Sequence, residues 1–234
     1  MSKKEAIDNL PLSLADYEPD LLAEFLYLIK DKFQRADKAG FFLEQHVGVA
    51  SSTISVANQR DAISHFISFL SQPSSPEGSR KFQEQQIYAA EEHLRRATIE
   101  PYQYVVMEKL TLMEKLLADY EYFVLERRAK SSNTSLPTRE TIDASIGKVR
   151  DLYRQGREAK TRNRWDAEWE QGILCFIGAI NEIEKLRKIL EPLVDAGKAE
   201  LLKRNSRGAK MQLILVGVAV GLVLAGITYI AILR

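Results

Sequence analysis

The chain has 234 residues and a formal net charge of +1, with 45% hydrophobic and 28% charged residues. This composition is typical of a globular chain long enough for one or two cores, and the near-neutral total gives no global case for nucleic-acid binding. The charge is uneven. Residues 1–130 carry 16 Lys and Arg against 20 Asp and Glu, and residues 131–210 carry 16 against 12. The single cysteine, Cys175, excludes an internal disulfide, and its apolar neighbours indicate a core residue.

Helical periodicity dominates residues 19–207, and no convincing alternating strand pattern is present. The sequence therefore predicts an all-α fold, an elongated antiparallel bundle of long helices. The predicted helices are separated by turn-forming residues and cover about 19–40, 42–70, 80–130, 139–162 and 166–205. Pro19 is expected to open the first helix, and Gly40 to end it. Pro101 is expected to kink or split the third helix, and Pro192 to bend the fifth.

Apolar stripes predict which helix faces are buried. In the first helix the stripe comprises Leu22, Phe25, Leu26, Ile29 and Phe33. The second helix is apolar on two sides, and the side expected to face the core carries Ile63, Phe66, Ile67 and Leu70. In the fifth helix three- and four-residue steps, as in a coiled coil, connect Trp169, Ile173, Phe176, Ile180, Ile183, Leu190 and Val194.

The domain organisation is predicted from linkers and changes in composition. The Ser- and Thr-rich stretch 130–138 separates an N-terminal helical region, 1–130, from a C-terminal one, 131–197. A basic stalk, 198–210, follows, and the chain then becomes apolar over 211–233.

The stretch 211–233 contains 23 residues without a charge. As a helix it would extend about 34 Å, which is enough to cross the hydrocarbon core of a bilayer. Only Arg234 follows it, so the sequence predicts a single C-terminal transmembrane helix, a tail anchor. Positive residues flank this segment on its N-terminal side, among them Lys203, Arg204, Arg207 and Lys210. Such a flank favours the cytoplasmic side and attracts anionic headgroups, which predicts a cytosolic body.

Small residues repeat every four positions within the span, at Gly217, Gly221 and Ala225. This spacing allows two transmembrane helices to approach closely. The sequence therefore predicts a homo-oligomer, although a simple tether is an equally ordinary use of such a segment.

Signatures of phosphate loops, dinucleotide-binding turns, zinc peptidases and serine hydrolases are absent from the sequence. The three histidines have no cysteine or histidine at ligand spacing, so we predict neither a metal nor a cofactor. The remaining chemical candidate is the stretch 58–66, with Arg60, Asp61 and His65. Asp61 and His65 lie on one helix face because they are four residues apart, whereas Arg60 and His65 do not.

Arg60, four intervening residues and His65 on a helix of an all-α bundle resemble the HEPN superfamily, which includes metal-independent RNases of defence and toxin systems. The resemblance implies that His65 acts as acid or base on a ribose 2′-hydroxyl and that Arg60 stabilises the phosphate. It also implies a dimer and an RNA substrate. Asp61 departs from the family pattern, in which Asn or His is more usual at this position. A polar cluster on an ordinary helix is the alternative.

A basic stripe is predicted on the fourth helix, where the cations Arg150, Arg154, Arg157 and Arg164 share one face. It could follow a phosphate backbone or lie on anionic lipid, or it could be a solvated helix face. Taken together, the sequence predicts a tail-anchored, cytosol-facing interaction or effector module whose partners are the lipid bilayer, further copies of itself and a protein partner. The alternative is a membrane-tethered RNase, with RNA as a partner only in that case.

Overall fold

The computed structural model of the chain describes residues 17–48, 53–71, 78–125, 136–161 and 166–232. In the last range most side chains are described through 206, and beyond that only those of Met211 and Val216. All regular elements in the described ranges are helical, which confirms the predicted helical bundle. They are α1 (Pro19–Tyr27), π1 (Leu28–Phe33), α2 (Gln34–Val47), α3 (Thr53–Ser71), α4 (Gly78–Tyr120), π2 (Glu121–Leu125), α5 (Arg139–Thr161) and α6 (Asp166–Ile232).

The chain divides into two compact units, each built from separate stretches of sequence. Unit 1 comprises residues 1–111 and 139–184, and unit 2 comprises residues 112–138 and 185–234. The linear regions inferred from linkers stay predictions about the sequence, because these units are defined by proximity in space.

Helix boundaries near the N-terminus differ from the prediction. Pro19 does begin α1, but the helical run continues through Gly40 and ends at Val47. Gly48 terminates it with φ 69°, a left-handed conformation that glycine adopts without the strain a side chain would cause. The prediction that Gly40 ends the first helix is therefore wrong. Gly40 instead faces α3, where a Cβ would lie 3.4 Å from the Ser55 hydroxyl oxygen, about van der Waals contact.

Of the two outcomes expected for Pro101, a kink or a split of the third helix, the split is wrong. Helix α4 is a single element from Gly78 to Tyr120 with Pro101 inside it. Proline removes one backbone hydrogen bond, but fully buried neighbours such as Ile99 and Val105 hold this part of the helix in the core. Helix α6 likewise continues through Pro192 and extends into the predicted stalk and span.

The core of unit 1 is centred on aromatic side chains from α1 and α3. Phe69 is fully buried and stacks on Phe25, with ring centroids 4.7 Å apart, and on Tyr17, at 5.4 Å. Phe66 meets Phe25 edge to face at 5.3 Å. The Tyr17 hydroxyl donates a hydrogen bond of 2.6 Å to the Leu70 carbonyl oxygen. The segment just before α1 is therefore held against the C-terminal end of α3.

Two predicted core faces are shifted. In α1 and π1 the buried apolar residues are Leu21, Phe25 and Leu28, whereas Leu26 and Ile29 are exposed. In α3, Phe66 is buried as predicted, but Ile63 and Ile67 are exposed, Ile67 at 60%. Packing instead buries a side that carries Ala62, Phe66 and Phe69, which shares only Phe66 with the predicted core side. By contrast, the α6 prediction is confirmed for all but one of its residues, since Ile173 is half-buried and the others are buried: Trp169, Phe176, Ile180, Ile183, Leu190 and Val194.

Unit 2 contains a close contact between α6 and π2. A Cβ at Gly197 would lie 2.8 Å from the Phe123 carbonyl oxygen, so the two backbones touch at this point. Next to it, the Lys198 ammonium donates to Asp119 at 2.6 Å and lies 5.3 Å from the centre of the Phe123 ring. After this contact the helix continues, and 202–206 are exposed on every face.

In the portion of the chain that could be tested, no helix is both long and apolar enough to cross a bilayer. The side chains of 217–234, which make up most of the predicted span, lie outside the described residues.

Candidate functional site

The structure brings together two histidines that are 28 positions apart in the sequence. His65 on α3 and His93 on α4 stack with ring centroids 5.4 Å apart and planes inclined by 22°. The Nδ1 atom of His65 is 2.8 Å from Oε1 of Gln86, and that of His93 is 3.2 Å from Oδ1 of Asn58. Each histidine is therefore hydrogen-bonded to a side-chain amide of the opposite helix. That amide precedes the other histidine by seven residues in the sequence.

A chain of hydrogen bonds extends from His93 to α5. The Asn58 side-chain nitrogen donates to Glu100 at 3.3 Å, and the Lys160 ammonium donates to the same carboxylate at 2.9 Å. Lys160 also donates to Gln103 at 3.3 Å. Both members of the Lys160–Glu100 pair are mostly buried, so their attraction is screened less than that of a surface pair. The network connects α3, α4 and α5 within unit 1.

These bonds assign the protons on the imidazole rings. A carboxylate can only accept, so Glu100 fixes the orientation of the Asn58 amide and turns its carbonyl oxygen to His93. Nδ1 of His93 must then carry the proton, and Nε2 has the lone pair. With Oε1 of Gln86 as its partner, His65 has the same tautomer. Nε2 is then the atom of each ring that can take up a proton.

Burial and neighbouring charges act on His93 in opposite directions. Loss of solvent lowers the pKa of His93 below its ordinary value, and the charge of Asp61 raises it. His65 and Arg96 lower this pKa further, whereas Glu92 raises it. The net pKa is lowered, which favours the neutral imidazole.

The predicted catalytic residues are separated in their contacts. Arg60 is mostly exposed and pairs with its neighbour Asp61, with a nitrogen–oxygen distance of 3.2 Å. Asp61 contributes to the electrostatics of His93, and His65 contacts His93 and Gln86. The predicted role of these residues in catalysis stays a prediction.

The predicted basic stripe lies on an exposed face of α5. Arg150, Arg154 and Arg157 are exposed, and Arg164 lies outside the described residues. Arg154 pairs with Glu158 at 3.1 Å and with Asp151 at 3.5 Å, so part of its charge is neutralised locally. The stripe is therefore weaker electrostatically than the sequence indicated.

At the membrane-flanking positions, Lys203 and Arg204 are exposed on α6. The side chains of Arg207 and Lys210 and the small-residue positions Gly217, Gly221 and Ala225 lie outside the described side chains. In the part of the chain that the structure describes, no three His, Cys, Asp or Glu side chains are grouped so that they could hold a metal ion.

The histidine pair was missed at the sequence level because no local pattern relates residues on different helices. One signal was nevertheless present. Asn58 precedes His65 by seven residues, and Gln86 precedes His93 by the same interval. On antiparallel helices two equal intervals place each amide opposite the other element's histidine.

The chain matches no known protein family, no curated protein and no solved structure.

Proposed function

We propose that this protein is a tail-anchored helical bundle whose body faces the cytosol and acts as a membrane-tethered interaction or effector module. In this proposal residues 211–233 insert into the bilayer, and the basic flank with Lys203 and Arg204 stays at the headgroups. Helix packing through Gly217, Gly221 and Ala225 would bring copies of the chain together.

One observation supports the proposal of a membrane anchor. Helix α6 runs without a break from residues packed in unit 2 into the uncharged stretch. Between them, residues 202–206 are exposed, and Leu202 has 69% of its surface in solvent. A lone helix gains little stability in water. Insertion of the apolar turns that follow would stabilise it, because a bilayer leaves the backbone no other hydrogen-bonding partner than itself.

The interaction role is supported by the surface of unit 1. A groove of about 410 Å³ lies between α2 and α3, and charged and polar side chains line most of it, with Phe41 and Val56 as its large apolar members. Phe41 and Val56 are exposed, as are Ile63 and Ile67 further along α3. Exposed apolar side chains in one region of a surface are typical of sites that meet another protein.

The anchor is tested by deleting residues 211–234 from the full chain and measuring membrane association after carbonate extraction. We expect the full chain to stay in the membrane fraction and the shortened chain to move almost entirely to the supernatant. A matched control replaces Lys203 and Arg204 by glutamine and leaves the span intact. It should remain carbonate-resistant, because the apolar segment carries the insertion. Carbonate-resistant association of the shortened chain would contradict the anchor.

A second candidate, the metal-independent RNase of HEPN type, is favoured by one observation. His65 has a second imidazole, His93, 5.4 Å away, and both rings have an unprotonated Nε2. Cleavage of a phosphodiester by a 2′-hydroxyl needs one base and one acid, and two histidines are suited to these roles.

The RNase proposal predicts that the purified full chain cleaves single-stranded RNA in the presence of a chelator. His65→Ala should lower the rate at least about 100-fold, because general acid–base catalysis typically contributes that much. His46→Ala is the matched control and should leave the rate unchanged, since His46 contacts Phe42 instead. Equal cleavage by wild type and His65→Ala would contradict a HEPN-type RNase that uses His65, and no cleavage by either would contradict an RNase altogether.

A further inference from the structure

The stacked histidines lie at the centre of a reciprocal arrangement. Asn58 and His65 on α3 face His93 and Gln86 on α4, and each histidine donates from Nδ1 to the amide oxygen of the other helix. Each histidine lies opposite an amide side chain of the other helix and not opposite the other histidine, yet the two ring centroids are 5.4 Å apart. The side chains therefore lean toward each other, and both hydrogen bonds and the stack depend on the same spacing between α3 and α4.

We propose that the His65–His93 pair is a proton-operated latch between α3 and α4, closed while the pair holds at most one proton and released when both rings are charged. The first proton goes to one Nε2 and produces an imidazolium stacked on a neutral ring, an arrangement that a cation and a π face tolerate. The second proton places two positive charges at the stacking distance. Their repulsion drives the rings apart and breaks the two hydrogen bonds to the side-chain amides.

The surrounding charges favour one proton over two. Asp61 on α3 is the carboxylate that stabilises a charged His93, but it is already paired with Arg60. The charges that face the pair come from α3, from α4 and, through one hydrogen-bonded step, from α5. They are Arg60, Asp61, Glu92, Arg95, Arg96, Glu100 and Lys160. Four cations stand against three anions in this set, so it supplies no surplus negative charge for a doubly protonated pair.

The direction of the pH effect follows from the lowered pKa of His93. Its neutral form is favoured in the folded state, so the unfolded chain binds more protons once the pH falls below the ordinary histidine value of about 6.5. The stability that this group contributes is complete above that pH. It is lost as the pH falls toward the folded-state pKa. We therefore expect the latch to be released under mildly acidic conditions.

The latch is tested by following the ring nitrogens of ¹⁵N-labelled histidine in the detergent-solubilised full chain from pH 8 to pH 4.5. We expect His65 and His93 to have Nδ1–H tautomers at pH 8 and to take up protons in two separate steps. In His65→Gln, the glutamine amide can still donate to Gln86 but cannot be charged. Because the pKa of His93 is lowered, His93 takes up the second proton in wild type, and in this variant it should bind its proton about tenfold more tightly, a change of one pKa unit. His46→Gln is the control and should change neither step.

Amide hydrogen exchange of α3 gives a second readout that does not depend on the ring signals. Between pH 7 and pH 5, the protection factors of the amides of residues 57–67 should fall in wild type. The fall should be about tenfold for each unit by which the charge of one histidine lowers the pKa of the other, and it should be much smaller in His93→Gln. A His93 titration that is unaffected by His65→Gln would overturn the latch. So would equal acid-induced loss of protection in wild type and His93→Gln.

Discussion

Replacing Phe69 by alanine is expected to lower the free energy of unfolding by about 3–5 kcal/mol. Phe69 is fully buried, and its ring stacks on both Tyr17 and Phe25. Alanine would remove the transfer free energy of the ring and leave a cavity bordered by two aromatic faces. Two of the ring pairs that hold α1 and the incoming chain against α3 would be lost together. Urea denaturation of the detergent-solubilised chain, followed by circular dichroism, measures the change.

Ile67→Ala is the matched control, because Ile67 lies two residues away on the same helix and is 60% exposed. Its effect should stay within about 0.5 kcal/mol, the range typical of surface substitutions. The pair of variants also decides which side of α3 faces the core. A loss of several kcal/mol for Ile67→Ala and a small loss for Phe69→Ala would contradict the observed orientation.

The helical fold could be predicted because long amphipathic segments carry a strong periodic signal. In α6 the spacing of Phe176, Ile183 and Leu190 leaves one face that can be buried, and the structure buries it. In α3, however, Phe66 has apolar neighbours on both sides, Ile63 on one and Phe69 on the other. The sequence of α3 alone does not decide which of these two sides is buried, because burial depends on which side chains of α1 pack against the helix. Phe25 packs against Phe66 and Phe69, and Ile63 therefore remains outside.

Prolines and histidines show two further limits of local reasoning. Pro101 disfavours a helix by itself, but contacts along α4 outweigh the loss of one hydrogen bond. His65 attracted attention because of Arg60, its neighbour in sequence, whereas its partners in space are Gln86 and His93. A motif defined along one helix singled out His65 but could not show which side chains of another helix contact it. Pairing across helices is a property of packing, and two equal sequence intervals were its only trace.

Two alanine substitutions in α5 are expected to change stability in opposite directions. Gly156→Ala would place a Cβ 2.7 Å from the ring of Phe176, which is fully buried. The ring cannot move aside without disturbing the core, so we expect a loss of about 1–3 kcal/mol from overpacking. At Gly147, by contrast, a Cβ would meet nothing within 4 Å. Gly147→Ala should therefore raise the free energy of unfolding by about 0.5–1 kcal/mol, the ordinary advantage of alanine inside a helix.

The same urea experiment measures both variants, and the comparison isolates the contact because helix propensity favours alanine equally at the two positions. Phe176→Leu supplies a further check. A smaller side chain opposite Gly156 makes room for the new Cβ, so Gly156→Ala should cost less in that background than in the wild type. Equal stabilisation by Gly147→Ala and Gly156→Ala would contradict the close approach of α5 and α6 at Phe176. An undiminished cost in the Phe176→Leu background would place the clash on another neighbour.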